Sequence, residues 1–308
     1  MTGAISNAFL ADVERLADWI RIESALGTLY AHTGRPSYPP LVLFKMLLLE
    51  QWYGLSDPQC EDACRDRLSF RRFLGLSLTD AVPDETVLVR FRQRLADAGL
   101  MQRLLDWLNE QFEARGLIVK RGTLIDATVV KSARTAPPKQ EGARDTSDPE
   151  ATWQAMKDRP VHGFKVHIAA DEAHTLVRAV SVTPAHVHDS VPANGLIQQD
   201  EQAVDADKAY DSRARADFLE SLDIDNRILR RGRRNRPLSE ADRAHNRRHS
   251  AIRAGIERVP GWFKAKNRMP RCRYLGVIAN QVHAHVLAMA YNLRRAVNLM
   301  PPPLAATG

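Results

Sequence analysis

The sequence predicts two regions of different class: an all-helical part over residues 1–118, then a mixed α/β part over residues 119–308. Three observations predict this. Apolar residues recur at helical spacing as far as Phe112. After Gly116 the apolar period changes to that of strands. From Leu124 onward, strands come first and then alternate with helices, which is the order of an α/β sheet.

In the first region, Phe9 to Ile20 carries apolar residues at helical spacing. Pro39-Pro40 opens a helix from Leu41 to Tyr53, and Gly54 ends it. The stretch Leu41 to Leu55 is the most apolar of the chain. It is too short to span a bilayer and carries Lys45 and Glu50, so it reads as a buried helix. Ser56-Asp57-Pro58 starts another helix running to about Leu74. Asp84 and Glu85 precede a helix over Thr86 to Leu95 that shows Arg90, Arg92 and Arg94. Met101 to Phe112 is strongly amphipathic, and Gly116 ends it. Short helices, one of them bearing arginines, suit a helix-turn-helix-like DNA reader, with Arg90 and Arg94 as candidate contacts.

In the second region, Leu124 to Val130 reads as a strand. Lys131 to Pro160 is polar, contains proline and has little to bury, which predicts a mobile loop. Gly163 to Ala170 and Thr175 to Thr183 read as strands joined by a turn at Asp171-Glu172-Ala173-His174. A helix near Val191 to Gln198, a strand from Ala203 to Asp207, a helix from Ser212 to Ser221 and a short strand from Asn226 to Leu229 follow. Ser239 to Glu257 reads as one long helix with Ser239 and Asp242 as a capping box. The last helix, Val277 to Met300, stops at Pro301.

An apolar fraction of 44% is enough to fill a real core in a chain of 308 residues. Three cysteines and no signal-like N-terminal segment predict a reducing, cytoplasmic setting. The net charge of +7 is unevenly spread. Residues 227–273 hold sixteen Lys or Arg against three acids, about +13, which leaves about −6 for the rest. A basic belt of this kind is the footprint of a polyanion partner. A solvated basic helix is the plain alternative, but the belt also has apolar periodicity and the aromatics Trp262, Phe263 and Tyr274.

Three acids stand in unusual places. Asp126 interrupts an apolar strand, where Asp is depleted. Asp207 closes Ala-Val-Asp-Ala-Asp, with Asp205 two residues earlier on the same strand face as the competing residue. Glu257 is the lone acid between Arg243 and Arg273. Each has an ordinary explanation: a backbone-bonded Asp, a helix cap, and an i,i+4 ion pair with Arg253. Brought together, three carboxylates could hold two divalent ions roughly 3.5–4 Å apart, the arrangement that cuts phosphodiesters. Arg253 and Lys264, four before and seven after Glu257, fall near one face of a continuing helix.

These residues belong to ordered blocks. Leu124-Ile125-Asp126-Ala127-Thr128, Gly163-Phe164-Lys165-Val166-His167 and Thr183-Pro184-Ala185-His186-Val187-His188-Asp189-Ser190 come first. Ala206-Asp207-Lys208-Ala209-Tyr210-Asp211 and the Arg253, Glu257, Lys264 spacing follow. With the Tyr38-Pro39-Pro40 helix, they cover almost the whole chain. The sequence resembles DDE-type insertion-sequence transposases, specifically the insertion-sequence-five (IS-five) group. Ser250 stands where the family signature has Tyr, and Ala209 where Gly is common. The resemblance implies an RNase H-like core with Asp126, Asp207 and Glu257 as catalytic and metal-binding acids, taking Mg2+ or alternatively Mn2+. It implies cleavage at the ends of a DNA element and strand transfer into target DNA. Its implied contacts to double-stranded DNA (terminal inverted repeats and target) are Arg253, Lys264, Lys208, Arg248 and Ser250, with Asp189 as structural support. It also implies a homodimer or higher assembly when two ends are synapsed, in a bacterial cytoplasm at the nucleoid.

Two rival readings remain: a stand-alone RNase H-like nuclease, and a DNA-binding regulator without activity. The helical N-terminal region speaks against the first, and the presence of all three acids against the second. His186, His188, His283 and His285 lack further ligands at zinc spacing. Cys60 and Cys64, four apart on a helix, read as buried small residues. No phosphate-binding Gly-rich loop and no Gly-x-Ser-x-Gly occurs.

Overall fold

The computed structural model describes residues 7–30, 38–137, 147–156, 159–232, 237–265 and 268–300. The helical region holds α1 (Asn7–Leu16), α2 (Ile20–Gly27), α3 (Pro40–Tyr53), α4 (Asp57–Asp66), α5 (Leu68–Leu74), α6 (Glu85–Ala98) and α7 (Met101–Glu113). Two expected helices are divided. The first breaks between Leu16 and Ile20, where the Asp18 side chain accepts from the Ile20 N–H at 3.0 Å. The second breaks at Arg67, which is extended with φ −96° and ψ 114° and serves as C-cap of α4 and N-cap of α5.

Local signals set the other boundaries. Pro40 occupies the first turn of α3, and Gly54 ends it in the left-handed conformation at φ 66°. Asp84 caps α6 by accepting from the Thr86 and Val87 N–H groups. α3 is apolar nearly all round and is buried on nearly every side. Its Lys45 ammonium donates to both Glu14 carboxylate oxygens at 2.9 Å and to Phe73 O at 3.1 Å.

Glu50, also in α3, is fully buried; Arg92 Nη1 lies 3.6 Å from its Oε2, and Arg92 also pairs with Asp57. Burial pushes the Glu50 carboxyl from 4.5 up to about 8, opposed by Arg92. The native state therefore keeps a proton that the unfolded chain releases. The stability that Glu50 contributes falls as pH rises above 4.5 and levels off beyond about 8. Glu50→Gln is expected to flatten this fall, read as the urea midpoint across that window. An unchanged pH slope would contradict the burial account.

The sheet has β1 (Thr123–Lys131), β2 (Thr152–Gln154), β3 (Val161–Asp171), β4 (Val177–Pro184), β5 (Ala203–Ala206) and β6 (Asp225–Asn226). Across it the main strands run β4-β3-β1-β5-β6. β3 runs antiparallel to both β1 and β4, while β5 and β6 run parallel to β1. β2 extends the outer edge of β3. This mixed sheet, with helices on both faces, is the RNase H-like arrangement. Gly163, in the Gly-Phe-Lys-Val-His block, cannot be replaced freely. A Cβ there would lie 2.1 Å from Val130 O and 2.6 Å from Ser132 N, so glycine lets β3 approach β1.

The remaining helices are α8 (Arg213–Ser221), α9 (Glu240–Arg253), α10 (Arg258–Phe263) and α11 (Val277–Leu299), with short 3-10 turns at Ala193–Leu196, Lys208–Tyr210 and Ala254–Glu257. The helix expected near Val191 to Gln198 is therefore only a 3-10 turn. The long helix expected over Ser239 to Glu257 keeps its Ser239–Asp242 capping box but tightens after Arg253. The strand expected over Asn226 to Leu229 shrinks to Asp225–Asn226. Part of the loop expected over 131–160 is ordered by polar contacts and pairing. Ser132 donates to the buried Asp148 carboxylate at 2.8 Å, and residues 152–154 pair with β3. Residues 138–146 and 157–158 of that stretch, and Pro301, lie outside the described residues.

One hydrophobic cluster joins the N-terminal helices, one face of the sheet and α11. A smaller cluster covers the other face, with Ile125, Val204, Ala206, Tyr210 and Leu219. The two regions expected to meet near residue 118 thus share a core. Polar contacts cross the same boundary: Arg273 donates to Leu55 O at 2.8 Å, and His283 Nε2 lies 3.1 Å from Gln51 Oε1. His283 and His285 are buried in α11, and burial pushes both imidazoles down, to about 3 and about 4. Cys60, Cys64 and Cys272 are buried and free. No helix among the described residues is long and apolar enough to cross a membrane.

Candidate active site

Strand register brings the first two acids together. β1 and β5 are parallel, and their last registered pair is Ile125 with Ala206. The next residues along the chain are Asp126, still in β1, and Asp207, just past the end of β5. Asp207 turns out of β5 and caps the 3-10 turn that follows, its Oδ1 accepting from the Lys208 N–H at 2.7 Å. Asp126 is partly buried and sits opposite Ile168 of β3. Burial raises its carboxyl, the Ala127 N–H and the Arg253 guanidinium lower it, and the charges of Asp207 and Asp189 raise it again. Like charges are thus gathered at one point.

Two cations face them. Arg253, the last residue of α9, places Nη2 3.9 Å from Asp126 Oδ1. Lys264 caps the C-terminus of α10; partial burial lowers its ammonium and the Asp126 charge opposes that. Lys208 is exposed beside Asp207.

The third acid is placed by the turn after α9. Ile256 is fully buried in the cluster that includes Leu124, and a Cβ on Gly255 would lie 3.6 Å from Leu124 Cδ1. Glu257 is therefore held on a turn against β1, with its side chain exposed. The 3-10 geometry breaks the continuous helix phase expected for Arg253, Glu257 and Lys264. Among the described residues, no three His, Cys, Asp or Glu side chains close into a metal-holding cluster. The structure brings Asp126 and Asp207 together and leaves Glu257 open to solvent.

A model of the family described as "Transposase DDE domain" matches residues 118–293, and one described as "Transposase domain (DUF772)" matches residues 3–94. The chain belongs to the DDE transposase family. Among solved structures, a piggyBac transposase synaptic complex with hairpin DNA aligns with TM-score 0.47 and 7% identity, over 94% of this chain and 72% of that one. The Mos1 strand transfer complex aligns with TM-score 0.22 and 12% identity, over 76% of this chain and 79% of that one.

Within this DDE transposase, side chains that sequence reasoning passed over organise the acids. Lys165 is buried; its ammonium lies 2.8 Å from Asp189 Oδ1 and donates to Val187 O at 2.7 Å. Asp189 is thereby tied to β3. Arg215 of α8 is buried and donates to Ser190 O at 2.6 Å, Asn194 Oδ1 at 2.9 Å and Tyr210 O at 3.4 Å. One guanidinium thus links the Asp189 loop to the Asp207 turn. Tyr210 is buried with its hydroxyl unpartnered, and burial with the charges of Asp189 and Asp126 raises it strongly. The only local signals were the chemistry-bearing blocks around Lys165 and Tyr210; nothing in its sequence context marks Arg215.

Asp205 does not join Asp126. It pairs in register with Leu124, is fully buried, and lies near His249 and Arg227. Arg248 is exposed on α9. Ser250 turns its hydroxyl back to Asn246 O at 2.5 Å, an ordinary helical contact. Arg90 and Arg94 are exposed on α6, while Arg92 between them points inward to Glu50 and Asp57. Residues 233–236 and 266–267 of the basic belt lie outside the described residues.

Proposed function

We propose that this DDE transposase is of the IS-five group, and that it cuts the ends of an insertion sequence and joins them to target DNA. The reading is supported most by the placement of Asp126 in β1 and Asp207 at the end of the parallel strand β5, with Arg253 as the near cation. Carboxylate oxygens are the donors that Mg2+ and Mn2+ take, and crowded like charges at Asp126 favour a bound cation. Asp126, Asp207 and Glu257 would hold Mg2+, with Mn2+ as a substitute. The ions supply activation of the attacking oxygen and stabilisation of the leaving one.

The chain's own residues then hold the DNA. Arg253 and Lys264 grip phosphates flanking the cut, with Lys208 and Arg248 beside them and Ser250 as a lesser contact. Arg90 and Arg94 on α6 touch DNA of the terminal inverted repeat. Water attack on the end phosphodiester forms one P–O bond and breaks another, leaving a 3′ hydroxyl. That hydroxyl attacks a target phosphodiester in the same bond-for-bond exchange. Two ends held at once require at least two copies of the chain, so a homodimer is the smallest synaptic unit.

Incubating an end-containing duplex and a target duplex with Mg2+ tests this. The expected products are cleaved ends and joined strands. Cleavage without joining would indicate a nuclease, and binding without cleavage a regulator. Lys264→Ala is expected to weaken end binding and lower its salt slope by about 1. An unchanged slope would remove Lys264 from the phosphate contacts.

A further inference from the structure

We propose that the buried Asp205–His249 pair is a latch that fixes α9 along β5, and so positions Arg253 beside Asp126 and the Glu257 turn against β1. The proposal rests on the active-site reading above and deepens it.

Asp205 is fully buried, and neither carboxylate oxygen has a hydrogen-bond partner. His249 is 8% exposed, and its Nδ1, also without a hydrogen bond, lies 3.5 Å from Asp205 Oδ1. Buried polar atoms left without a hydrogen bond are costly, and these two face each other. Arg227 Nη1 lies 4.0 Å from Asp205 Oδ2; burial raises the Asp205 carboxyl to about 7, opposed by Arg227 and reinforced by the charges of Glu172 and Asp225. Burial lowers the His249 imidazole, as do the charges of His245, Arg227 and Arg248, and Asp225 opposes them.

The pair joins two functional elements at short sequence distance. Asp205 lies two residues before Asp207 on β5, and His249 lies four before Arg253 and eight before Glu257. The same face of α9 makes other fixed contacts to the sheet edge. His245 Nε2 lies 3.1 Å from Ile228 O. Asn246 accepts from the Arg230 N–H at 2.8 Å and donates to Arg230 O at 3.1 Å. β6 has two residues, so this helix face takes over beyond the end of the strand. The 3.5 Å separation exceeds a hydrogen bond by about 0.5 Å. Arg253, one turn further along α9, stands 3.9 Å from Asp126 Oδ1.

The test uses the full-length protein and Mn2+ as the probe, its binding read from the paramagnetic resonance of the free ion. His249→Phe keeps ring volume without a donor; His249→Gln keeps a donor; Asp205→Asn removes the charge with little change of shape. His249→Phe and Asp205→Asn are each expected to weaken Mn2+ binding about tenfold, with His249→Gln restoring it to within about threefold. Wild-type Mn2+ affinity in His249→Phe or in Asp205→Asn, or His249→Gln as weak as His249→Phe, would overturn the latch. Asp126→Asn is the control. If it binds Mn2+ as wild type does, the active-site reading fails instead, a result distinct from failure of the latch.

Discussion

Asp126→Asn is expected to abolish DNA cleavage while leaving binding of the element end intact. The substitution keeps shape and removes the charge at the point where β1 and β5 run side by side. Asp126 is the residue on which the fields of Asp207, Asp189, Arg253 and Lys264 converge. Loss of one acid from such a unit disables the whole, because the members act together. A fall of at least about 10³-fold, or about 4 kcal/mol of transition-state stabilisation, is expected. Binding is expected to be spared because Arg253 and Lys264, the proposed phosphate contacts, lose only an opposing charge. Normal cutting by this variant, seen on an end-labelled duplex, would end the assignment of Asp126.

Trp52→Ala carries the largest expected change in stability. Trp52 is 3% exposed, meets Phe9 and Phe73 edge-on at 5.0 and 5.7 Å, and donates its indole N–H to Ala290 O at 2.9 Å. It therefore fills a cavity-prone point where α1, α3 and α5 meet α11. Removing it costs about 3–5 kcal/mol, and the Ala290 carbonyl is left without its partner. Because one cluster spans both regions, the whole chain should lose stability together. Urea unfolding followed by far-ultraviolet circular dichroism and by fluorescence should shift with coincident midpoints. Early melting of the helical region, with the sheet intact, would show that the shared core does not couple them.

Much of this organisation was legible in the sequence because short-range chemistry fixes it. Pro40 and Gly54 bound α3, Asp84 caps α6, and Ser239 with Asp242 starts α9. Asp126 stood out because an acid within an apolar strand needs a reason. What was hidden depends on tertiary context. Arg67 gives no sign that it breaks a helix. Glu50 and Arg92 lie 42 positions apart in sequence, and only packing shows that they meet. Asp205 and Asp207 look equivalent on one strand face. Register separates them, setting Asp205 beside Leu124 in the interior and Asp207 at the strand end. The tightening after Arg253 was hidden for a similar reason: Ile256 is drawn onto β1, which no helical period reveals.

The placement of Glu257 decides the account, since its turn is held against β1 while its side chain faces solvent. The most direct measurement is joining of a pre-nicked element end, bearing a 3′ hydroxyl, to target DNA in Mg2+. Wild type and Glu257→Gln are compared at equal end occupancy. The account predicts joined product from wild type and none from Glu257→Gln. Joining by Glu257→Gln at the wild-type rate would contradict a site built from Asp126, Asp207 and Glu257.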